Sequence, residues 1–181
     1  MKKLSEPLPG VAVFEWPIHR DRRGCFLEIF RADKLAAHGI AADFVQDNIS
    51  SSHRGVLRGL HFQNPHAQGK FVIPLSGRIY DVTVDVRRDS PHFGRWAAVE
   101  LDGDEGTAIW IPPGFAHGFQ VLSEQSTVLY KVTEFWAAGA EHTIRWDDPA
   151  LGIAWPVADP VLSDKDALAP LLAELTCLPA L

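Results

Sequence analysis

Short runs in which apolar and polar residues alternate recur along the chain, and turn signals separate them. Asp81–Val86 is the clearest run, because its valines fall on one face and its polar residues on the other, as in a β-strand. Trp96–Leu101 ends at Asp102-Gly103, a dipeptide typical of short hairpins. Gly118–Leu122 and Thr127–Trp136 are predicted to form a further strand pair.

Helical patterns are confined to Asp33–His38 and Asp166–Leu175. The second contains Pro170, which a helix tolerates only near its first turn. Many short antiparallel strands with two flanking helices predict an all-β fold, a jelly-roll barrel or sandwich. We expect a single domain over residues 1–181, with an N-terminal arm (about residues 1–50) and a C-terminal helical tail (about residues 164–181).

Composition narrows the classes of function. The 181 residues are 46% hydrophobic and 22% charged, as in an ordinary globular protein, and the formal net charge is −6. A nucleic-acid partner is not expected, because binding one calls for a basic surface. No apolar stretch reaches membrane-spanning length, and the residues after Met1 do not predict a signal peptide. Cys25 and Cys177 have neither disulfide-framework nor zinc spacing, which favours a reducing, cytoplasmic setting.

His61 is the first candidate for chemistry. Strand alternation places Gly59 and Gln63 on its side of the predicted strand and Arg58 on the opposite side, unless a bulge intervenes. An isolated histidine in a strand is most often a core residue hydrogen-bonded to the backbone. A neutral imidazole is also well suited to remove a proton near neutral pH.

Other candidates also have ordinary structural explanations. Tyr130 lies on an apolar strand face, either as a core residue or directed into a cavity. Lys70 begins a strand and is either solvated or an ammonium that stabilises a developing oxyanion. Asp166 suits a helix N-terminus, where acidic residues are favoured. Four cations could bind phosphate oxygens, although each taken alone is a surface charge. They are Arg22, Arg23, Arg58 and Lys165.

Two segments, Gly55–Gln63 and Gly106–His117, share the glycine-to-histidine spacing of the paired motifs that hold a metal in cupin barrels. The first segment lacks the second histidine, and no acidic residue stands between His61 and Lys70. Only His61 and His117 therefore stand at ligand positions, where a catalytic metal is expected to have three or more protein ligands. The segments predict a cupin-type barrel with no metal site and no cofactor.

A longer series of ordered motifs resembles the dTDP-4-dehydrorhamnose 3,5-epimerase family of cupin enzymes. The motifs extend from about the first strand almost to the C-terminal helix. They include Phe44–Asn48, Val56–Gln63, Ala67–Lys70, Trp110–Phe119, Leu129–Lys131 and Leu162–Asp166. The resemblance implies a metal-independent isomerase that inverts C3 and C5 of dTDP-4-keto-6-deoxy-D-glucose, giving dTDP-4-keto-L-rhamnose for dTDP-L-rhamnose biosynthesis.

The resemblance also implies roles for individual residues. His61 would be the general base and Asp166 its dyad partner. Tyr130 would return a proton from the opposite face, and Lys70 would stabilise the enolate oxygen. Other residues would hold the substrate: Arg23, Phe26, Glu28, Gln46, Asn48, Arg58, His117, Trp136, Glu141 and Lys165. Members of the family are homodimers through exchanged β structure, so some of these residues would reach the neighbouring subunit's site.

Other functions fit parts of the pattern. A related metal-free cupin moves the keto group between C3 and C4, and some epimerases of other deoxysugar pathways invert only C3 or C5. Phe135-Trp136 stands where family members often carry a tyrosine pair, which bears on how many centres are inverted. A metal-dependent cupin oxygenase would need the missing ligands. A non-catalytic nucleotide-sugar-binding module would not need base, acid and oxyanion groups together.

Overall fold

The computed structural model describes residues 1–180 and consists mainly of β-strands. They are β1 (Lys2–Leu8), β2 (Val11–Glu15), β3 (His19–Asp21), β4 (Gly24–Phe26), β5 (Gln46–His53), β6 (Leu57–Gln63), β7 (Lys70–Ser76), β8 (Arg78–Asp85), β9 (Trp96–Asp102), β10 (Thr107–Ile111), β11 (Phe115–Val121), β12 (Gln125–Val132) and β13 (Glu141–Thr143). The helices are α1 (Ala32–Ala36) and α2 (Asp164–Ala167), with 3₁₀ turns at Ala138–Ala140 and Leu172–Glu174. Within this range no helix has the length and apolar character needed to cross a membrane.

Two antiparallel sheets pack face to face. The larger sheet has the strand order β1-β2-β10-β7-β12-β5, and the smaller has the order β13-β6-β11-β8-β9. β3 and β4 form a separate hairpin. Between β7 and β12 the chain changes sheet at all but one connection, which is the behaviour of a jelly roll. The predicted all-β, cupin-type fold is therefore confirmed.

Two predicted strand pairings are wrong. The turn at Asp102-Gly103 forms, but β9 pairs with β8 in the smaller sheet, whereas β10 pairs with β2 and β7 in the larger sheet. Gly118–Leu122 and Thr127–Trp136 contribute to β11 and β12, which also lie in different sheets. A turn signal indicates only that the chain reverses. The partner of each strand depends on the apolar faces that the sheets bury against each other.

Three apolar clusters stabilise this arrangement. The inner cluster lies between the sheets and joins Val72 of the larger sheet to Phe119 of the smaller one. A second cluster covers the outer face of the larger sheet and includes Leu35 of α1, the helix predicted at Asp33–His38. A third covers the outer face of the smaller sheet and includes Leu172 of the C-terminal segment. Each sheet therefore packs against the other sheet on its inner face and carries an apolar cluster on its outer face.

The alternating strand β8 places its polar face inward. Its valines belong to the outer cluster of the smaller sheet, whereas Ile79 belongs to the inner cluster. Asp81, Thr83 and Asp85 share the strand face of Ile79, and all three are almost completely buried. Asp85 forms an ion pair with Arg87 and accepts a hydrogen bond from the hydroxyl of Ser90 at 2.6 Å. The inner face of β8 therefore carries polar groups into the barrel.

The continuous helix predicted at Asp166–Leu175 is wrong. α2 ends at Ala167, and a separate 3₁₀ turn follows Pro170. Pro170 lacks a backbone N–H, and its ring would collide with the carbonyl group four residues earlier, so the helix stops before it. Asp148 holds the segment instead, because its Oδ2 accepts a hydrogen bond from the Leu172 N–H at 2.8 Å.

Candidate active site

A cavity of about 570 Å³ opens between the two sheets. β6 and β11 of the smaller sheet form one wall, and β5, β7 and β12 of the larger sheet form the opposite wall. The segment that contains α2 closes one side. Most of the predicted site residues line this cavity: Asn48, Arg58, His61, Lys70, His117, Tyr130, Trp136, Glu141, Lys165 and Asp166.

His61 and Asp166 are in direct contact at the cavity. Nε2 of His61 lies 2.6 Å from Oδ1 of Asp166, which α2 presents. Ser163 caps α2, because its hydroxyl accepts a hydrogen bond from the Asp166 N–H at 3.2 Å, and this cap fixes the start of the helix. A carboxylate can only accept hydrogen bonds, so Nε2 of His61 carries the proton and Nδ1 keeps a free lone pair.

The protonation state of this pair suits proton abstraction. Burial lowers the pKa of the His61 imidazole, although the hydrogen bond and the charge of Asp166 oppose that shift. Burial acts to raise the pKa of Asp166, but hydrogen bonds, above all the one from His61, outweigh burial and lower it. At neutral pH the pair is therefore a neutral imidazole beside a carboxylate, the state that a general base requires.

Lys70 points inward rather than into solvent. Its side chain is buried, and Nζ donates a hydrogen bond to the backbone carbonyl of His61 at 3.0 Å. Burial lowers the pKa of Lys70 to about 8, against the raising effect of the Glu141 and Asp81 charges. A buried ammonium group interacts strongly with negative charge that develops on a nearby oxygen.

Tyr130 is both a core residue and a cavity residue. Its ring packs beside Phe119 of the inner cluster, with 6.1 Å between ring centroids. Its hydroxyl lines the cavity wall opposite His61 and lies 2.7 Å from Oγ of Ser50. Burial raises the pKa of the phenol, so Tyr130 stays protonated at neutral pH and can donate a proton.

His117 forms a second histidine–aspartate pair. It lies directly opposite His61 in the pairing of β6 with β11. Its Nε2 is 2.7 Å from Oδ2 of Asp81, and both residues are buried. The two histidines at the cupin ligand positions are thus each held by a carboxylate.

Arg58 lies on the same side of β6 as His61, which corrects the face predicted by simple alternation. β11 pairs His117 with His61 and Phe119 with Arg58, so Gly118 alone faces two residues of β6. A bulge of this kind interrupts strand alternation. Gly59 permits it, because its φ is +123° and a Cβ there would lie 2.5 Å from the Cα of Gly118.

The mouth of the cavity combines charged and aromatic groups. Nζ of Lys165 lies 2.9 Å from Oε2 of Glu141. Trp136 is 55% exposed, and its backbone N–H donates to Oε1 of Gln46 at 2.9 Å. Gln46 also donates to Asn48, at 2.9 Å, so it lies beside the mouth without lining the cavity.

Three predicted site residues lie away from this cavity. Arg23 belongs to the β3–β4 hairpin region and binds Asp21 through two nitrogens. Phe26 ends that hairpin and is 69% exposed. Glu28 is 2.6 Å from Nζ of Lys34. Within a single chain these residues do not join His61 and Tyr130.

Sequence reasoning missed three side chains that support the site. Ser50 contacts Tyr130, Ser163 caps α2, and Asp81 holds His117. Ser163 had a detectable signal, since serine before an acidic first turn is a helix N-cap pattern. Asp81 and Ser50 had none, because the partners of both come from distant strands.

The donors in the cavity favour proton transfer. Among residues 1–180, no three His, Cys, Asp or Glu side chains are grouped as metal ligands. An imidazole, a phenol and an ammonium group instead line the same space. The fold and the site together define a cupin-type enzyme of the proton-transfer class.

Comparison with known proteins specifies the family. The sequence model of the dTDP-4-dehydrorhamnose 3,5-epimerase family matches residues 5–174. The chain is 47% identical, over 181 residues, to the dTDP-4-dehydrorhamnose 3,5-epimerase of Pseudomonas aeruginosa, with 99% of this chain and 100% of that protein covered. The chain belongs to the dTDP-4-dehydrorhamnose 3,5-epimerase family and is an isomerase by class.

Solved structures of two sugar-nucleotide epimerases have the same fold as this chain. A dTDP-6-deoxy-D-glucose-3,5-epimerase from Legionella pneumophila, in complex with dTDP-4-keto-L-rhamnose, superposes with a TM-score of 0.95 at 43% identity, covering 99% of this chain and 98% of that one. A 3'-monoepimerase from Streptomyces bikiniensis, in complex with dTDP-quinovose, gives a TM-score of 0.89 at 38% identity, covering 97% and 93%.

Proposed function

We propose that this isomerase converts dTDP-4-keto-6-deoxy-D-glucose to dTDP-4-keto-L-rhamnose by inverting C3 and C5, a step of dTDP-L-rhamnose biosynthesis. The observation that carries the proposal is the position of His61 and Tyr130 on opposite walls of one cavity. Similarity to an epimerase in complex with dTDP-4-keto-L-rhamnose supports the choice of sugar.

The proposed chemistry needs only side chains. The 4-keto group acidifies the C–H bonds at C3 and C5, and Nδ1 of His61 takes one of these protons. The electron pair of the broken C–H bond forms an enolate, whose oxygen Lys70 stabilises. Tyr130 then donates its proton to the same carbon from the opposite wall, and the ketone re-forms. Configuration is inverted because base and acid lie on opposite sides of the sugar.

The catalyst is regenerated by proton exchange. His61 releases the captured proton to solvent, and the Tyr130 phenolate takes one up. The phenolate is strongly basic, because burial raises the pKa of Tyr130, so its reprotonation is favourable. Both carbons are inverted by the same two groups if the sugar can present each C–H bond to His61 in turn.

The mouth of the cavity suits the nucleotide part of the substrate. We assign Arg58 and Lys165 to the diphosphate, since cationic side chains bind phosphate oxygens through charge-assisted hydrogen bonds. To bind the diphosphate, the ammonium group of Lys165 must leave its ion pair with Glu141 and contact a phosphate oxygen instead. Trp136 offers an exposed aromatic face for stacking. Gln46, Asn48, Glu141 and His117 would supply further polar contacts to the substrate.

We further propose a homodimer in which the β3–β4 hairpin completes the partner's site. Arg23, Phe26 and Glu28 are the residues for which this chain offers no contact with its own cavity. Phe26, a large apolar side chain, is 69% exposed, which a covering partner surface would explain. Mixing inactive His61→Gln chains with inactive Arg23→Ala chains should restore activity if sites are shared between subunits.

We also infer that the chain works as a single domain. The inner cluster joins both sheets, and each outer cluster contains residues from strands of one of these sheets.

A cytoplasmic setting is supported by Cys25 and Cys177, which are exposed and unpaired, since exposed free thiols persist in reducing compartments.

Product analysis tests the proposed reaction. The purified chain is incubated with dTDP-4-keto-6-deoxy-D-glucose, the 4-keto group is reduced chemically, and NMR gives the configuration at each carbon. Inversion at C3 and C5 is expected, together with loss of activity in His61→Gln and its retention in the control His53→Gln, an exposed histidine outside the cavity.

Two results would redirect the proposal. A product inverted at one carbon would identify a single-centre epimerase, an alternative that the similarity to the Streptomyces bikiniensis 3'-monoepimerase makes specific. A keto group at C3, read by NMR before the chemical reduction, would identify a ketoisomerase.

A further inference from the structure

The inner face of β8 carries two buried oxygen atoms that have no hydrogen-bond partner among residues 1–180. They are Oδ1 of Asp81 and Oγ1 of Thr83, on residues that are each 1% exposed. The two residues are separated by one position, so their side chains leave the same strand face, with roughly 7 Å between their Cα atoms. Buried polar atoms in proteins almost always have a partner, and ordered water supplies it where protein groups do not.

These two oxygen atoms lie next to His117. Thr83 is the direct cross-strand partner of His117 in the pairing of β8 with β11. The other oxygen of Asp81, Oδ2, is 2.7 Å from Nε2 of His117. His117 also pairs with His61, the proposed base. His61, His117 and Thr83 therefore lie side by side on the neighbouring strands β6, β11 and β8.

We propose that one buried water molecule bridges Oδ1 of Asp81 and Oγ1 of Thr83, and that this network makes Asp81 a positioning residue for His117. The water donates to the carboxylate and shares a hydrogen bond with the hydroxyl, so both orphaned atoms are satisfied. Asp81 accepts the Nε2–H of His117, which leaves Nδ1 as the nitrogen that faces the cavity. A neutral Nδ1 accepts a hydrogen bond from a sugar hydroxyl. This substrate contact and the activity measurements rest on the proposed function, whereas the water and the tautomer of His117 do not.

Asp81 also acts on Lys70 through its charge. Burial lowers the pKa of Lys70, and the charges of Glu141 and Asp81 raise it. The charged and titratable groups around Lys70 come from several elements: Asp81 on β8, Glu141 on β13, Lys165 on α2, His61 on β6 and Tyr130 on β12. Removing the charge of Asp81 therefore lowers the pKa of Lys70 further. Activity that needs the Lys70 ammonium is then lost at a lower pH.

Nitrogen-15 NMR of the histidine rings tests the network in the intact protein without substrate. Wild-type His117, assigned by comparison with His117→Gln, is expected to be protonated at Nε2 only. In Asp81→Asn this single tautomer should give way to a mixture, because an amide can donate as well as accept. A wild-type ring protonated at Nδ1 alone would overturn the proposal, as would an unchanged tautomer in Asp81→Asn.

A crystal structure at about 1.2 Å or better tests the water itself. Electron density for one water within hydrogen-bond distance of both oxygen atoms is expected in the wild type and in Thr83→Ser, which keeps the hydroxyl. Thr83→Val keeps the shape but loses the hydroxyl, so the water should be absent, and this variant remains informative if Asp81→Asn does not fold. A dry site in the wild type refutes the bridge.

Kinetics then separate positioning from a merely structural role. Asp81→Asn is expected to lower kcat by about 10²-fold with little change in KM, as a misplaced group does, and to move the alkaline limb to lower pH. Thr127→Val is the control, because Thr127 lies on the other sheet and outside the cavity. It should change neither kcat nor the alkaline limb of the pH profile. An unchanged kcat and alkaline limb in Asp81→Asn would contradict the assigned role. If wild-type protein does not act on the dTDP sugar, the proposed function fails, whereas the NMR and crystallographic results still decide the network.

Discussion

Replacing Asp166 with asparagine removes the charge beside His61 and keeps the size of the side chain. In the native site this contact is 2.6 Å long, and Asp166 is buried. A hydrogen bond to a charged group contributes about 1.5–3 kcal/mol. If that energy is realised in the transition state, where His61 becomes an imidazolium, its loss lowers kcat by about 10- to 150-fold.

The same substitution should move one limb of the pH profile and leave the other in place. His61 must be unprotonated, so activity appears as the pH rises through its lowered pKa. Burial lowers that pKa and Asp166 opposes the shift, so Asp166→Asn lowers it further and moves the acid limb to lower pH. Lys70 must be protonated, so activity falls above a pKa of about 8. Asp166 is not among the charges that shift the pKa of Lys70, so the alkaline limb should stay.

The assay is kcat/KM for product formation over a pH range that brackets both limbs. Asp164→Asn is the matched control, because Asp164 is on the same helix but exposed. An acid limb that moves to higher pH in Asp166→Asn, or an unchanged kcat, would refute the assigned role of Asp166. A shift of similar size in Asp164→Asn would show that the effect is not specific to the contact with His61.

Three further predictions concern other parts of the site. Tyr130→Phe removes the proposed acid, so the rate of epimerisation should fall by about 10²–10⁴-fold, while His61 still exchanges substrate protons with solvent. An equal loss of epimerisation and of proton exchange would argue against a separate base and acid. Gly59→Ala should lower Tm by several degrees, because the new Cβ would lie 2.5 Å from the Cα of Gly118. Gly139→Ala is the control and should leave Tm unchanged, because its Cβ would meet nothing within 4 Å. An unchanged Tm in Gly59→Ala would contradict the bulge geometry. Chelator treatment should leave kcat/KM unchanged, since carboxylates already hold His61 and His117; activity lost to chelator and restored by a metal would contradict this.

Local sequence patterns predicted the strands better than their partners. The alternation in Asp81–Val86 identified β8, but it could not indicate that the polar face would be buried in the barrel. The turn signal at Asp102-Gly103 was real, yet the chain changes sheet there. Both outcomes depend on which faces the two sheets bury against each other, and that is a property of the whole fold.

The site shows the same division between local and distant information. His61 and Asp166 are 105 residues apart, so spacing alone could not pair them, and only the family resemblance predicted the dyad. Simple alternation placed Arg58 opposite His61 unless a bulge intervened, and a bulge at Gly59 and Gly118 does interrupt the alternation, so the face of Arg58 depended on a pairing that the sequence of β6 does not reveal. Nothing in the sequence near Asp81 indicated its contact with His117, which the pairing of β8 with β11 creates.

The most direct test of the proposed proton transfers is to incubate the protein with dTDP-4-keto-6-deoxy-D-glucose in deuterated water and to follow the sugar protons by NMR. Deuterium should enter at both C3 and C5 with inversion at each carbon, and His61→Gln should incorporate none. Deuterium at neither carbon in the wild-type reaction, with the substrate bound, would contradict enolate formation by His61.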